Sequence, residues 1–175
     1  EKANTRHIDV IFNWLAEPHM IEFWDNSQEH KDDILNFIHC RKQHYFYGTT
    51  QYFVGSINQE PYCFLLADEI KAEQDPPEVH RQHLSQSGST ITIDFGIGNK
   101  KYLGKGLAGP TLEKFVSFYH KDIDPMADTF FIDPDENNPK AKHVYLKAGF
   151  KEAGEYIAQE VAFIGHTSLL IVKKL

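Results

Sequence analysis

Gly104-Lys105-Gly106 lies between a β-branched run and a helical pattern. Thr90 to Ile97 carries the residue types of a pleated, half-buried strand. Leu107 to His120 sets Leu112, Phe115, Val116 and Tyr119 at helical spacing. A strand that passes through glycines straight into a helix restricts the chain to a mixed architecture.

The rest of the chain agrees. His7 to Ala16 reads as a short amphipathic helix, with Ile8, Ile11, Phe12 and Leu15 on one face, and Pro18 is expected to end it. Ser27 suits the N-cap of a second helix that carries Ile34, Leu35, Phe37, Ile38 and Arg41. Tyr52 to Ile57 and Tyr62 to Ala67 read as strands joined by Asn58-Gln59-Glu60-Pro61. Asp68 to Ser89 is polar and reads as a long loop with one helical turn, a length associated with lids and binding loops. Thr129 to Ile132 reads as a short buried strand. Pro139 to Ala148 reads as a helix stopped by Gly149, and Glu155 to Val161 and Thr167 to Val172 as two closing strands. A mixed sheet with helices on its faces follows, in a single domain spanning 1–175.

The net charge of −7 disfavours nucleic acid as a partner, because phosphate neutralisation needs a basic face. It suits a cationic ligand slightly better. Cys40 and Cys63 form no CxxC, and no stretch reads as a signal peptide or a membrane span, so a cytoplasmic protein with free thiols and no membrane contact is expected. His80-Arg-Gln-His83 has ligand-like spacing without a third ligand nearby, so no metal is expected.

The glycine turn is a candidate anion site. Unpaired N–H groups at a helix start attract a phosphate, and glycines let it approach closely. The alternative is a plain strand–helix turn. A Walker loop is absent, and Gly104-x-Gly106 lacks the third glycine of a dinucleotide fingerprint.

Lys101-Tyr102-Leu103-Gly104-Lys105-Gly106 resembles the Q/R-x-x-G-x-G/A loop of the GNAT superfamily of N-acetyltransferases, with Lys101 in place of Arg. Asn138-Pro-Lys-Ala141 with Tyr145-Leu-Lys147-Ala-Gly149-Phe150 resembles that superfamily's N-x-x-A-x-x-x-Y-x-K-x-G-F element. Within it, the chain is most similar to bacterial aminoglycoside 6′-N-acetyltransferases. Asn13-Trp-Leu15, His19-Met-Ile-Glu-Phe-Trp24, Ile93-Asp94 and Ile132-Asp133-Pro134 carry that likeness. It covers most of the chain and thins between Glu69 and Ser89.

The resemblance implies an α/β (α+β) GNAT fold: one mixed, mostly antiparallel, twisted sheet of about six to seven strands flanked by about four helices. It implies acetyl-CoA as co-substrate and a small cationic amine as acceptor, the 6′-amine of an aminoglycoside first, in a monomer or homodimer. Asp94 would draw in and deprotonate the ammonium, although an ordinary aspartate is a weak base at neutral pH. Tyr145 would be the general acid, or else a core tyrosine. Phe95, Ile97, Tyr102, Leu103, Gly104, Lys105, Gly106, Leu107, Ala108, Asn138 and Lys142 would hold the cofactor, Asn138 also suiting an N-cap. Trp24, Asp75, Asp94 and Asp133 would bind the acceptor, with Trp24 as core and a solvated acidic loop as the alternatives.

Three rival readings stand. Phe131-Ile-Asp-Pro-Asp135 also resembles enzymes that acylate hydroxylated lysine or ornithine in siderophore synthesis. Those commonly carry a histidine two residues before the Asp94 position, where this chain has Thr92. The others are acetylation of a protein amine and a non-catalytic acyl-CoA sensor.

Overall fold

The computed structural model describes residues 1–158 and 163–175. Its strands are β1 (Gln51–Ile57), β2 (Glu60–Ile70), β3 (Ser89–Gly96), β4 (Ala127–Ile132), β5 (Lys151–Ile157) and β6 (Thr167–Lys174). They form one sheet in the order β1-β2-β3-β4-β6-β5. β1–β2, β4–β6 and β5–β6 pair antiparallel and β3–β4 pairs parallel. The full-length helices are α1 (Ile8–Leu15), α3 (Gln28–Ile38), α5 (Ala108–Phe118) and α6 (Pro139–Lys147), while α2 (Pro18–Ile21) and α4 (Glu78–Arg81) are single turns. The mixed, mostly antiparallel sheet with four principal helices is the expected fold. Among the described residues no helix is long and apolar enough to cross a membrane.

The chain forms two compact units, Glu1–Asp68 with Asp94–Lys105, and Glu69–Ile93 with Gly106–Leu175. In the first, α1 buries Ile11, Trp14 and Leu15 against Ile34, Tyr52, Val54, Phe64 and Leu66. Tyr52 and Phe64 stack with ring planes 3° apart. The Ser27 hydroxyl accepts from the His30 N–H at 3.1 Å and caps α3. That helix ends at Ile38, so Arg41 lies beyond it. Pro18 does follow the end of α1, but it also takes the first position of α2, where a missing N–H costs nothing. The hairpin turn is shorter than expected. Asn58 and Gln59 alone make it, at φ +50° and +67°, so Glu60 and Pro61 already belong to β2. Opposite each other across β1 and β2 stand Gly55 and Cys63. A Cβ on Gly55 would come within 2.4 Å of the Cys63 sulfur.

In the second unit, Ile70, Phe131, Leu170 and Val172 form an apolar cluster, with Val79, Leu84 and Ala153 packed on it. Leu112, Phe115 and Val116 are the buried face of α5, which runs on into a π-helical turn, Tyr119–Ile123. β5 starts four residues before the expected Glu155. Its Lys151-Glu-Ala-Gly-Glu opening lacks apolar alternation because it is an exposed edge strand. Of the strand expected to reach Val161, residues 159–161 lie outside the described residues.

Candidate active site

Leu103, Gly104, Lys105 and Gly106 are exposed. Gly104 and Gly106 have φ of +68° and +69°, the left-handed region that favours glycine, and a Cβ at either would meet nothing within 4 Å. Space that a side chain would fill is therefore left open at the backbone. α5 starts with Leu107 as N-cap and no side-chain cap. Pro110, in its first turn, has no N–H, and the Thr111 N–H bonds the Leu107 carbonyl at 3.0 Å. Among the described residues no side chain caps the N–H groups just before Pro110, the arrangement that receives an anion. An open, donor-rich turn of this kind fits a pyrophosphate. Lys101 and Tyr102 are tied to Glu60, Lys101 at 2.6 Å. The Lys101 hydrogen bond holds the Glu60 carboxyl below the usual range.

The N-terminal motif has a structural explanation in the first unit. Trp14 packs on Gly98, where a Cβ would lie 2.1 Å from the indole. Imidazole Nε2 of His19 is 3.0 Å from the Ile97 carbonyl. Trp24 Nε1 and Met20 crowd the face of Gly96, at 2.9 and 2.7 Å from a Cβ built there. Trp14, His19 and Trp24 thus shape the chain immediately after Asp94. Asp94 and Gly96 are two apart on β3 and share a face, so half-buried Trp24 covers the face that Asp94 presents. Trp24 also meets Phe64 at 5.2 Å, on the core side.

Beside Trp24, Asp25 accepts from the Tyr45 hydroxyl at 2.7 Å and from Ser27 at 2.8 Å. Burial raises the Asp25 carboxyl, but these bonds outweigh it and hold it low. The phenol of Tyr45 is pushed up by burial, then by Asp25, with a further contribution from Asp94. Asp25 and Tyr45 carry no motif, and sequence reading missed them.

In the second unit, the Asn138 side chain accepts from the Ala141 N–H at 3.1 Å and caps α6. Lys142 pairs with Glu152 at 2.9 Å. Tyr145 is 7% exposed on the buried side of α6. Asp75 stands apart, exposed and ion-paired with Arg81. Asp133 does not stand alone, since both His80 and Tyr156 reach its Oδ2. The two histidines of His80-Arg-Gln-His83 part company, His83 Nδ1 lying 2.9 Å from the Val79 carbonyl. Among the described residues no group of three or more His, Cys, Asp or Glu is gathered as a metal site.

A mixed sheet whose strand passes through an open glycine turn into an uncapped helix is a scaffold for an enzyme or carrier of a phosphate-bearing ligand. The chain belongs to the acetyltransferase (GNAT) domain family, whose model matches residues 3–157. Among curated proteins, none matches this sequence. Its fold is similar to that of an aminoglycoside N(6′)-acetyltransferase from Legionella pneumophila, with a TM-score of 0.77 at 22% identity over 99% of this chain and 90% of that one. It is also similar to the aminoglycoside acetyltransferase AAC(6′)-Ib, solved with coenzyme A and kanamycin, with a TM-score of 0.72 at 19% identity over 99% and 92%. A spermidine N-acetyltransferase chimera, from Vibrio cholerae and hSSAT, gives 0.67 at 17% identity over 99% and 95%.

Proposed function

We propose that the chain, acting over 1–175 as one cytoplasmic transferase domain, moves an acetyl group from acetyl-CoA to a primary amine of a small cationic acceptor. The 6′-amine of an aminoglycoside is the first candidate. The observation that carries the reading is the glycine turn: open space at Gly104 and Gly106, feeding a helix start with no side-chain cap. Leu103 to Ala108 hold the pyrophosphate there, with Tyr102 beside them. Asn138 and Lys142 hold the rest of the cofactor.

Asp94 draws in the ammonium and takes up its proton, directly or through water, which leaves the amine free to attack the thioester. The Phe95 and Ile97 backbone N–H groups polarise the thioester carbonyl. Tyr145 gives a proton to the departing thiolate, its burial keeping that transfer away from bulk water. Trp24 covers the acceptor beside Asp94, Asp133 pairs with a second cationic group, and Asp75 adds negative charge at the loop.

The test is thiol release from acetyl-CoA with kanamycin, spermidine and hydroxylated diamino acids as acceptors. Asp94→Asn is expected to lower kcat about a hundredfold or more while calorimetry finds acetyl-CoA affinity unchanged. An unaltered kcat removes Asp94 from the chemistry.

A further inference from the structure

We propose that His80 is a positioning residue for acceptor recognition, holding Asp133, jointly with Tyr156, as a preformed receptor for a cationic amine. The inference rests on the reading that Asp133 contacts the acceptor.

The loop between β2 and β3 is not free along its length. Its α-helical turn, α4, follows a 3-10 turn at Ala72–Gln74 and sends Val79 into the apolar cluster of Ile70, Phe131, Leu170 and Val172. A Cβ on Gly154 would lie 2.7 Å from a Val79 methyl, so α4 rests directly on the β5 backbone. That docking fixes the next residue, His80, which is 3% exposed. Its ring stands edge-on to Tyr156 at 4.5 Å and to Phe131 at 5.5 Å. Asp133 Oδ2 is 3.1 Å from His80 Nε2 and accepts from the Tyr156 hydroxyl at 3.1 Å.

Two atoms of this cluster are left over. Asp133 Oδ1 and His80 Nδ1 are buried with no hydrogen-bond partner among the described residues. In the neutral tautomer that donates Nε2–H to Asp133, Nδ1 is an acceptor, as Oδ1 is. The cluster therefore has a surplus of acceptors and a shortage of donors, a state that buried polar groups rarely keep. An ammonium, with several N–H donors and a positive charge, supplies what is missing. A neutral donor supplies the hydrogen bonds without the charge that complements the carboxylate, and an anion is repelled by it.

The experiment uses the whole chain. Kinetics with kanamycin and acetyl-CoA varied separately are measured for His80→Phe, His80→Gln, Tyr156→Phe and Asp133→Asn, each checked by thermal melting. His80→Phe keeps the ring and loses the donor. It is expected to raise the kanamycin KM about tenfold, the loss of one hydrogen bond to a charged group, with kcat and the acetyl-CoA KM unchanged. His80→Gln, whose amide restores an N–H at that place, recovers most of the loss. Equal effects of His80→Phe and His80→Gln, or parallel changes in kcat and both KM values, overturn the proposal. If Asp133→Asn raises the kanamycin KM and His80→Phe does not, this inference fails and the acceptor role of Asp133 stands. If Asp133→Asn leaves it unchanged, the acceptor role itself fails. A second readout needs no turnover: in protein labelled with 15N-histidine, the His80 imidazole resonance is expected to shift on adding kanamycin and not on adding acetyl-CoA. No shift at saturating kanamycin overturns the proposal.

Discussion

Asp68 is 3% exposed, and its two carboxylate oxygens accept from the Thr49 hydroxyl at 3.0 Å and the Thr50 hydroxyl at 2.7 Å. Burial pushes its pKa from the usual 3.8 up to about 6; the hydroxyls pull against it and the nearby Asp33 charge adds to it. That rise corresponds to about 3 kcal/mol at most. Between pH 3.8 and about 6 the folded chain binds more of this proton than the unfolded chain does, so stability falls as pH rises through that window. The cost is absent below it and complete above it. Asp68→Asn keeps the shape and removes the ionisation. The variant is expected to be more stable than the parent by about 1–3 kcal/mol at pH 7.5, with the difference shrinking toward zero near pH 4. Urea denaturation of both proteins at several pH values measures this, and the difference cancels all other titrations. A difference that does not change with pH, or a variant less stable at pH 7.5 than at pH 4.5 relative to the parent, refutes the argument.

Gly104→Val adds a side chain where the protein offers no obstacle, but at φ +68°. Folding is expected to weaken by about 1–2 kcal/mol while acetyl-CoA affinity in calorimetry falls at least about tenfold; normal affinity contradicts the loop assignment. Gly98→Ala places a methyl 2.1 Å from the Trp14 indole. A loss of about 1–3 kcal/mol is expected in urea denaturation, and unchanged stability removes Trp14 from the packing that shapes the chain after Asp94.

What could be read from the sequence follows the physics of pattern. α1, α3 and α5 announce themselves because one face of each is apolar, and the Asn138 and Ser27 caps because few residues do that job. The glycine turn was legible since left-handed backbone and close approach both demand glycine. β5 was half-hidden, as an exposed edge strand has no buried face to impose alternation. Partners distant in sequence left no local trace. His80 looked like half of a ligand pair with His83, and only the docking of α4 joins it to Asp133. Asp25 and Tyr45 sit twenty residues apart and meet through a fold that no short motif encodes. His19 and Trp24 were legible as likeness, but their work on Ile97 and Gly96 was not.

The opposition of Gly55 and Cys63 constrains how this chain can diverge. The two positions share one volume, with 2.4 Å between the sulfur and any methyl added across from it. Position 55 cannot grow while the sulfur at 63 stays in place: an alanine at 55 requires the side chain at 63 to shrink or turn away. A change at 55 is therefore tied to one at 63. The thiol at 63 acts here by its size, while its chemistry is silenced by burial, which pushes its pKa up to about 11.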